Sequence, residues 1–63
     1  MSVGENIKLI RKGAGLTQEA LALKVGVGQS MIAQIERGSK VPTLVLSGAL
    51  AEALNCEVTD FLE

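Results

Sequence analysis

The sequence predicts an all-α fold of five short helices, and three observations carry that expectation. Turn signals at Gly13–Gly15, Gly26–Gly28, Gly38–Pro42 and Asn55 divide the 63 residues into five segments. Within those segments apolar residues recur three or four apart, and no stretch alternates with a period of two. The chain is also too short for more than one core, so residues 1–63 are read as a single compact domain.

The segments can be justified in order. In the first, Ile7, Ile10 and Ala14 lie at helical spacing. Thr17 is a natural N-cap for the second, in which Leu21 and Val25 sit four apart. Gly26 provides the left-handed residue of a tight turn. Gly28 precedes the third helix in the N-cap position, and Ile32 and Ile35 pin that helix inward. Pro42-Thr43 opens the fourth, which is expected to bury Leu44, Ala51 and Leu54 and to end at a left-handed Asn55. A last helical turn near Thr59–Leu62 makes Phe61 and Leu62 a hydrophobic plug.

Composition narrows the chemistry. Hydrophobic residues are 48% of the chain and aromatics 2%, so the core is aliphatic. One cysteine, Cys56, and no histidine exclude an internal disulfide and argue against a zinc site, and Cys56 is read as a small apolar residue. With no histidine, no paired carboxylates on one helical face and no phosphate-cradling loop, no group is equipped for acid–base or nucleophilic catalysis, and no metal or small-molecule cofactor is expected. No apolar run reaches membrane-spanning length and the N-terminus lacks a signal-peptide core, so a cytoplasmic protein without a membrane partner is expected.

Charge is polarised. Residues 1–40 hold all six bases (Lys8, Arg11, Lys12, Lys24, Arg37, Lys40) against three acids, a net +3, whereas residues 41–63 hold four acids and no base. Only the first two thirds are suited to face phosphate.

Residues 17–38 satisfy the steric demands of a helix-turn-helix. Ala22 is small where the second helix of the pair crosses the first, Gly26 makes the turn, and Val27 tucks inward. The outward face of the second helix then carries Gln29, Ser30, Ala33 and Gln34, with Met31 beside it. A glutamine can pair with adenine through two hydrogen bonds, serine can serve several bases, and alanine or methionine can touch a thymine methyl. Double-stranded DNA is the expected partner.

The run LTQEALALKVGVGQSMIAQIERG, followed by VPT and later ALAEAL, resembles the lambdoid-phage repressor and Cro-like helix-turn-helix domains, the xenobiotic-response-element family. The resemblance extends from Ile7 to Leu62 and implies a lambda-repressor-like fold and a bacterial or phage transcriptional regulator. It assigns base contacts to Gln29, Ser30 and Gln34. It gives Gln18 a phosphate contact and a role in buttressing Gln29, with Thr17 beside it, and it brings Arg37 and Lys40 to the DNA backbone. Arg11 and Glu36 match an ion pair joining the first helix to the third; the other reading of Arg11 is a free phosphate contact.

The chain departs from that family in carrying apolar Leu9, Ala20, Leu23, Val45, Leu46 and Ala49 on expected solvent faces, and Ser47 and Gly48 where large apolar residues are usual. Two explanations stand. Either the fourth helix is rotated, with Val45 or Leu46 entering the core and Gly48 permitting close approach, or these residues form a contact surface. One recognition helix reads too few base pairs to select a genomic site, so a homodimer on a near-palindromic operator is expected, its helices roughly 34 Å apart. Leu46, Asp60, Phe61 and Leu62 are the candidate pairing surface. The chain is either a whole small regulator or the N-terminal piece of a longer one. A repressor is the leading reading. An autoregulating antitoxin, a restriction-modification controller and a protein-interaction module of the same fold are the alternatives.

Overall fold

Four α-helices and one 3-10 turn build the molecule: α1 Val3–Gly13, α2 Gln18–Val25, α3 Gln29–Arg37, α4 Leu44–Ala53 and the turn Val58–Phe61. The structure is a computed structural model that describes residues 2–62. The expected fifth helix is therefore a single 3-10 turn of four residues, too short for the 13-atom rings of an α-helix to propagate.

Three of the four α-helices, α1, α2 and α4, start at a side chain that caps a first-turn amide. Ser2 and Glu5 form a reciprocal capping box on α1, Oγ of Ser2 accepting from the Glu5 amide at 3.2 Å and Oε1 of Glu5 accepting from the Ser2 amide at 2.9 Å. Those hydrogen bonds from Ser2 hold the Glu5 carboxyl below its ordinary range. Thr17 caps α2 through the Ala20 amide at 3.0 Å, and Thr43 caps α4 through the Leu46 amide at 3.1 Å. Asn55, at φ 57°, is the non-glycine residue in left-handed conformation that follows α4.

Ile7, Leu21, Ala22, Ile32, Ile35, Leu50, Ala51, Leu54 and Phe61 form one core to which all four helices and the final turn contribute. Asn6 is buried with them and donates from Nδ2 to the Phe61 carbonyl at 2.9 Å, tying α1 to the final turn. Phe61 itself is sealed in the core at 1% exposure. It is the expected plug, and for the same reason it cannot serve as a surface side chain for pairing.

The packing of α4 decides one open alternative and corrects two further expectations. Its inward stripe is Leu46, Leu50, Ala51 and Leu54, of which Leu46 is half-buried against the core. Leu44 lies about 200° around the helix from Leu46 and is 82% exposed, so it is not a core residue. Of the two residues that could have entered the core, Leu46 does and Val45, at 84% exposure, does not. Gly48 permits no close approach, because a Cβ built there meets nothing within 4 Å. Ala14 lies outside α1 as its exposed C-cap rather than on its buried face.

The close approach occurs instead at Gly4. A Cβ on this residue would run into the Ile35 carbonyl oxygen and come within 2.9 Å of that of Glu36. The N-terminal turn of α1 thus packs directly on the backbone of α3, which fixes the position of the third helix.

Candidate nucleic-acid interface

The turn between α2 and α3 is built by backbone geometry. Gly26 ends α2 in left-handed conformation at φ 76°, where any side chain would be strained. Its amide and that of Val27 both donate to the Ala22 carbonyl, at 2.9 and 3.0 Å, and Val27 packs against the core. Ala22, at 3% exposure, occupies the crossing point. Gly28 is the N-cap of α3 and provides no side-chain hydrogen bond; within the first turn the Met31 amide donates to the Gly28 carbonyl at 3.1 Å.

On α3, Ile32 and Ile35 face the core while Gln29 and Ser30 are exposed, with Ala33 and Gln34 half-buried on the same outward side. Arg37 is exposed one helical turn beyond Ala33 and Gln34. Met31 points the other way and packs against the core cluster. The loop after α3 folds back: Gly38 takes φ 87°, and the Ser39 and Lys40 amides donate to the Gln34 carbonyl at 2.9 and 3.3 Å. Exposed Arg37 and Lys40 are thereby held at the C-terminal end of α3.

Behind this surface lies a buried polar network. Arg11 Nε donates to Glu36 Oε2 at 2.6 Å and Nη2 donates to Oε1 at 3.0 Å, with side chains 8% and 3% exposed. Nη1 donates to the Leu16 carbonyl at 2.8 Å, so Arg11 also anchors the loop that leads into α2. Arg11 is therefore not a free phosphate ligand. Gln18, half-buried at the start of α2, donates from Nε2 to Glu36 Oε1 at 3.0 Å. Burial pushes the Glu36 carboxyl upward, but the hydrogen bonds from Arg11 and Gln18 and the positive charges of Arg11 and Lys8 outweigh it and hold the group below its ordinary range.

Sequence reasoning did not give Gln18 its Glu36 partner. It also missed Gly4 and Asn6. The available signal was their position on α1, where residues 4, 6, 7 and 11 are the buried ones. Thr17 spends its hydroxyl on capping α2. Asp60 and Leu62 are exposed on the final turn, and the Asp60 carboxylate accepts from the Glu57 amide at 2.9 Å. Cys56 is half-buried, and burial, with the negative charges of Asp60 and Glu57, pushes its thiol up, as befits a packing residue.

Two helices crossing over a left-handed glycine, with uncharged polar side chains outward on the second, define a helix-turn-helix domain of the DNA-binding kind. A family described as Helix-turn-helix matches residues 7–61, and the chain belongs to it. The immunity repressor protein of Bacillus phage phi105 is 44% identical over 59 residues, which are 94% of this chain and 41% of that protein's length. This chain thus spans less than half of that relative. The DNA-binding domain of the P22 c2 repressor superimposes with a TM-score of 0.94 at 35% identity, covering 98% of this chain and 82% of that one. The same repressor bound to a synthetic operator gives 0.91 at 34% identity, over 97% and 92% of the two chains. The restriction-modification controller C.AhdI from Aeromonas hydrophila gives 0.90 at 34% identity, over 94% and 89%.

Proposed function

We propose that this chain is a sequence-specific transcriptional repressor domain that binds a near-palindromic DNA operator as a homodimer. The observation that carries the reading is the outward face of α3, where exposed Gln29 and Ser30 and half-buried Ala33 and Gln34 share one side of a helix clamped from behind by Gly4 and the Arg11–Glu36 pair. Such a helix enters a major groove with its N-terminal residues against base edges, while the helix before it crosses the DNA backbone. The N-terminus of α3, which lacks a side-chain cap, suits a phosphate at the groove edge. Arg37 and Lys40 flank the reading face as non-specific backbone contacts. The net charge of −4 after position 40 suits the side turned away from the duplex, and the protein works wherever bacterial or phage DNA lies, in the cytoplasm.

Val41, Leu44, Val45 and Leu62 are large apolar side chains at 84%, 82%, 84% and 66% exposure, and Leu9 and Leu23 are exposed as well. We assign the dimer contact to Val41, Leu44, Val45 and Leu62 together with Asp60, in place of Leu46 and Phe61. The likeness to C.AhdI supports a second reading of the same activity, a controller of a restriction-modification operon.

Selection of operators from a random duplex pool tests the proposal. A palindromic consensus, with a changed preference at one position of each half-site in Gln29→Ala, is the expected result. No enrichment at low salt overturns it. Sedimentation of Leu44→Glu tests the pairing surface, since association equal to wild type removes Leu44 from it.

A further inference from the structure

Gln18 opens the helix that crosses the DNA backbone in this motif, yet its amide is turned inward. Nε2 donates to Glu36 Oε1 at 3.0 Å, the same oxygen that accepts from Arg11 Nη2 at 3.0 Å. The other carboxylate oxygen accepts from Arg11 Nε at 2.6 Å, so the carboxylate cannot turn without breaking the clamp between α1 and α3.

The two ends of a glutamine amide are nearly identical in shape and opposite in hydrogen-bond character. On an open surface either end faces outward. An ionised carboxylate only accepts, so Glu36 selects the NH2 end of Gln18 and excludes the flipped amide. That nitrogen carries a second proton which Glu36 does not use. A DNA phosphate is also an acceptor and can be met only by a donor. With the amide flipped, Gln18 would offer its carbonyl oxygen to the phosphate and repel it. The positive charge of Arg11 offsets the negative charge of Glu36, so the carboxylate can stand behind the contact without adding net negative charge beside the duplex.

We propose that Glu36 is a positioning residue for DNA: by accepting one Nε2 proton of Gln18 it fixes that amide so that the second proton is presented to a backbone phosphate. The inference rests on the operator-binding reading and gives it a definite wiring, Arg11 to Glu36 to Gln18 to phosphate.

The test is a double-variant cycle on the full chain and one selected operator duplex, read as affinity across a salt series. Gln18→Met, similar in length and without the amide, weakens binding roughly ten- to a hundredfold, the range for a hydrogen bond to a charged group. Glu36→Gln, which lets the Gln18 amide flip, weakens binding by roughly two- to tenfold, the range for one ordinary hydrogen bond. In the Gln18→Met background Glu36→Gln has no further effect. A purely structural Glu36 would instead cost the same factor in both backgrounds, and that outcome overturns the inference while leaving operator binding intact. Failure of the wild-type chain to bind any duplex overturns both.

A measurement on the wild-type protein stands independently of how stable the variants are. In an acid titration followed by NMR, the charged groups facing the Glu36 carboxyl are Arg11 and Lys8 of α1, and α2 contributes the neutral Gln18 amide. The Gln18 side-chain amide protons are expected to shift together with the Glu36 carboxyl. Gln18 amide resonances that ignore that titration overturn the inference.

Discussion

Gly4 rests directly on the carbonyl oxygen of Ile35, so α1 and α3 meet backbone to backbone. This contact sets how far α3 stands from the body of the domain. It also leaves no room for even a methyl group, since both obstacles are main-chain atoms that cannot turn aside. Gly4→Ala is expected to cost about 1–3 kcal/mol of overpacking, more than the ~1 kcal/mol that alanine gains over glycine inside a helix. Urea unfolding measures the net loss; a neutral or stabilising effect would show that the two helices separate freely.

The Arg11–Glu36 pair also joins those helices, and it is buried on both sides. Arg11→Met leaves the carboxylate inside with only Gln18 as a named partner and is expected to cost about 3–5 kcal/mol. Adding Glu36→Leu removes the orphaned charge, and the double variant should recover a large part of that loss. Unfolding free energies of the two single variants and the double variant decide the point, and additive losses would rule it out.

Stability should fall with acid in a way that Glu36 explains. Its carboxyl is held below its ordinary value in the folded chain, so its contribution is complete above the unfolded value and is lost as the pH drops through the folded one. Glu5 shifts in the same direction on the exposed capping box and adds to the trend. Urea midpoints taken from neutrality downward should decline below about pH 5, with a shallower decline in Glu36→Gln. Parallel profiles for the two proteins would remove Glu36 as the source.

Leu44 and Leu50 stand on one helix and look alike in sequence, yet Leu44 is 82% exposed and Leu50 0%. Leu50→Ala should cost about 2–5 kcal/mol, whereas Leu44→Ala should fall within about 0.5 kcal/mol of wild type at concentrations where the chain is monomeric. Thermal unfolding of both variants compares them, and a large loss at Leu44 would mean that α4 is rotated from the orientation described.

Arg37 and Lys40, held together by the folded-back loop after α3, should act on all duplexes alike. Replacing either with alanine is expected to reduce the salt dependence of binding by about one counterion without changing base preference. Titrations of a specific and a scrambled duplex at several salt concentrations report both quantities. A shift in preference would make the residue a base reader.

Most of the chain's local architecture could be read from its order of residues. Thr17 and Thr43 announce helix starts, Gly26, Gly38 and Asn55 announce left-handed stops, and the spacing of Leu21, Ile32 and Ile35 assigns their faces. These features rest on interactions within a few residues, where φ preference, capping and helical period act directly. The outward set Gln29, Ser30 and Gln34 was legible for the same reason, because the core positions of α3 determine what remains outside. Tertiary structure alone decided the rest. Gly4 meets a backbone more than thirty residues away, and Gln18 turns its amide to Glu36, eighteen positions on. Leu46 displaces Leu44 from the core through a rotation of α4 that a helix rich in apolar residues on every side cannot specify by its own pattern. Which of several suitable side chains is buried depends on the surface brought against it, and that surface exists only once the helices have packed.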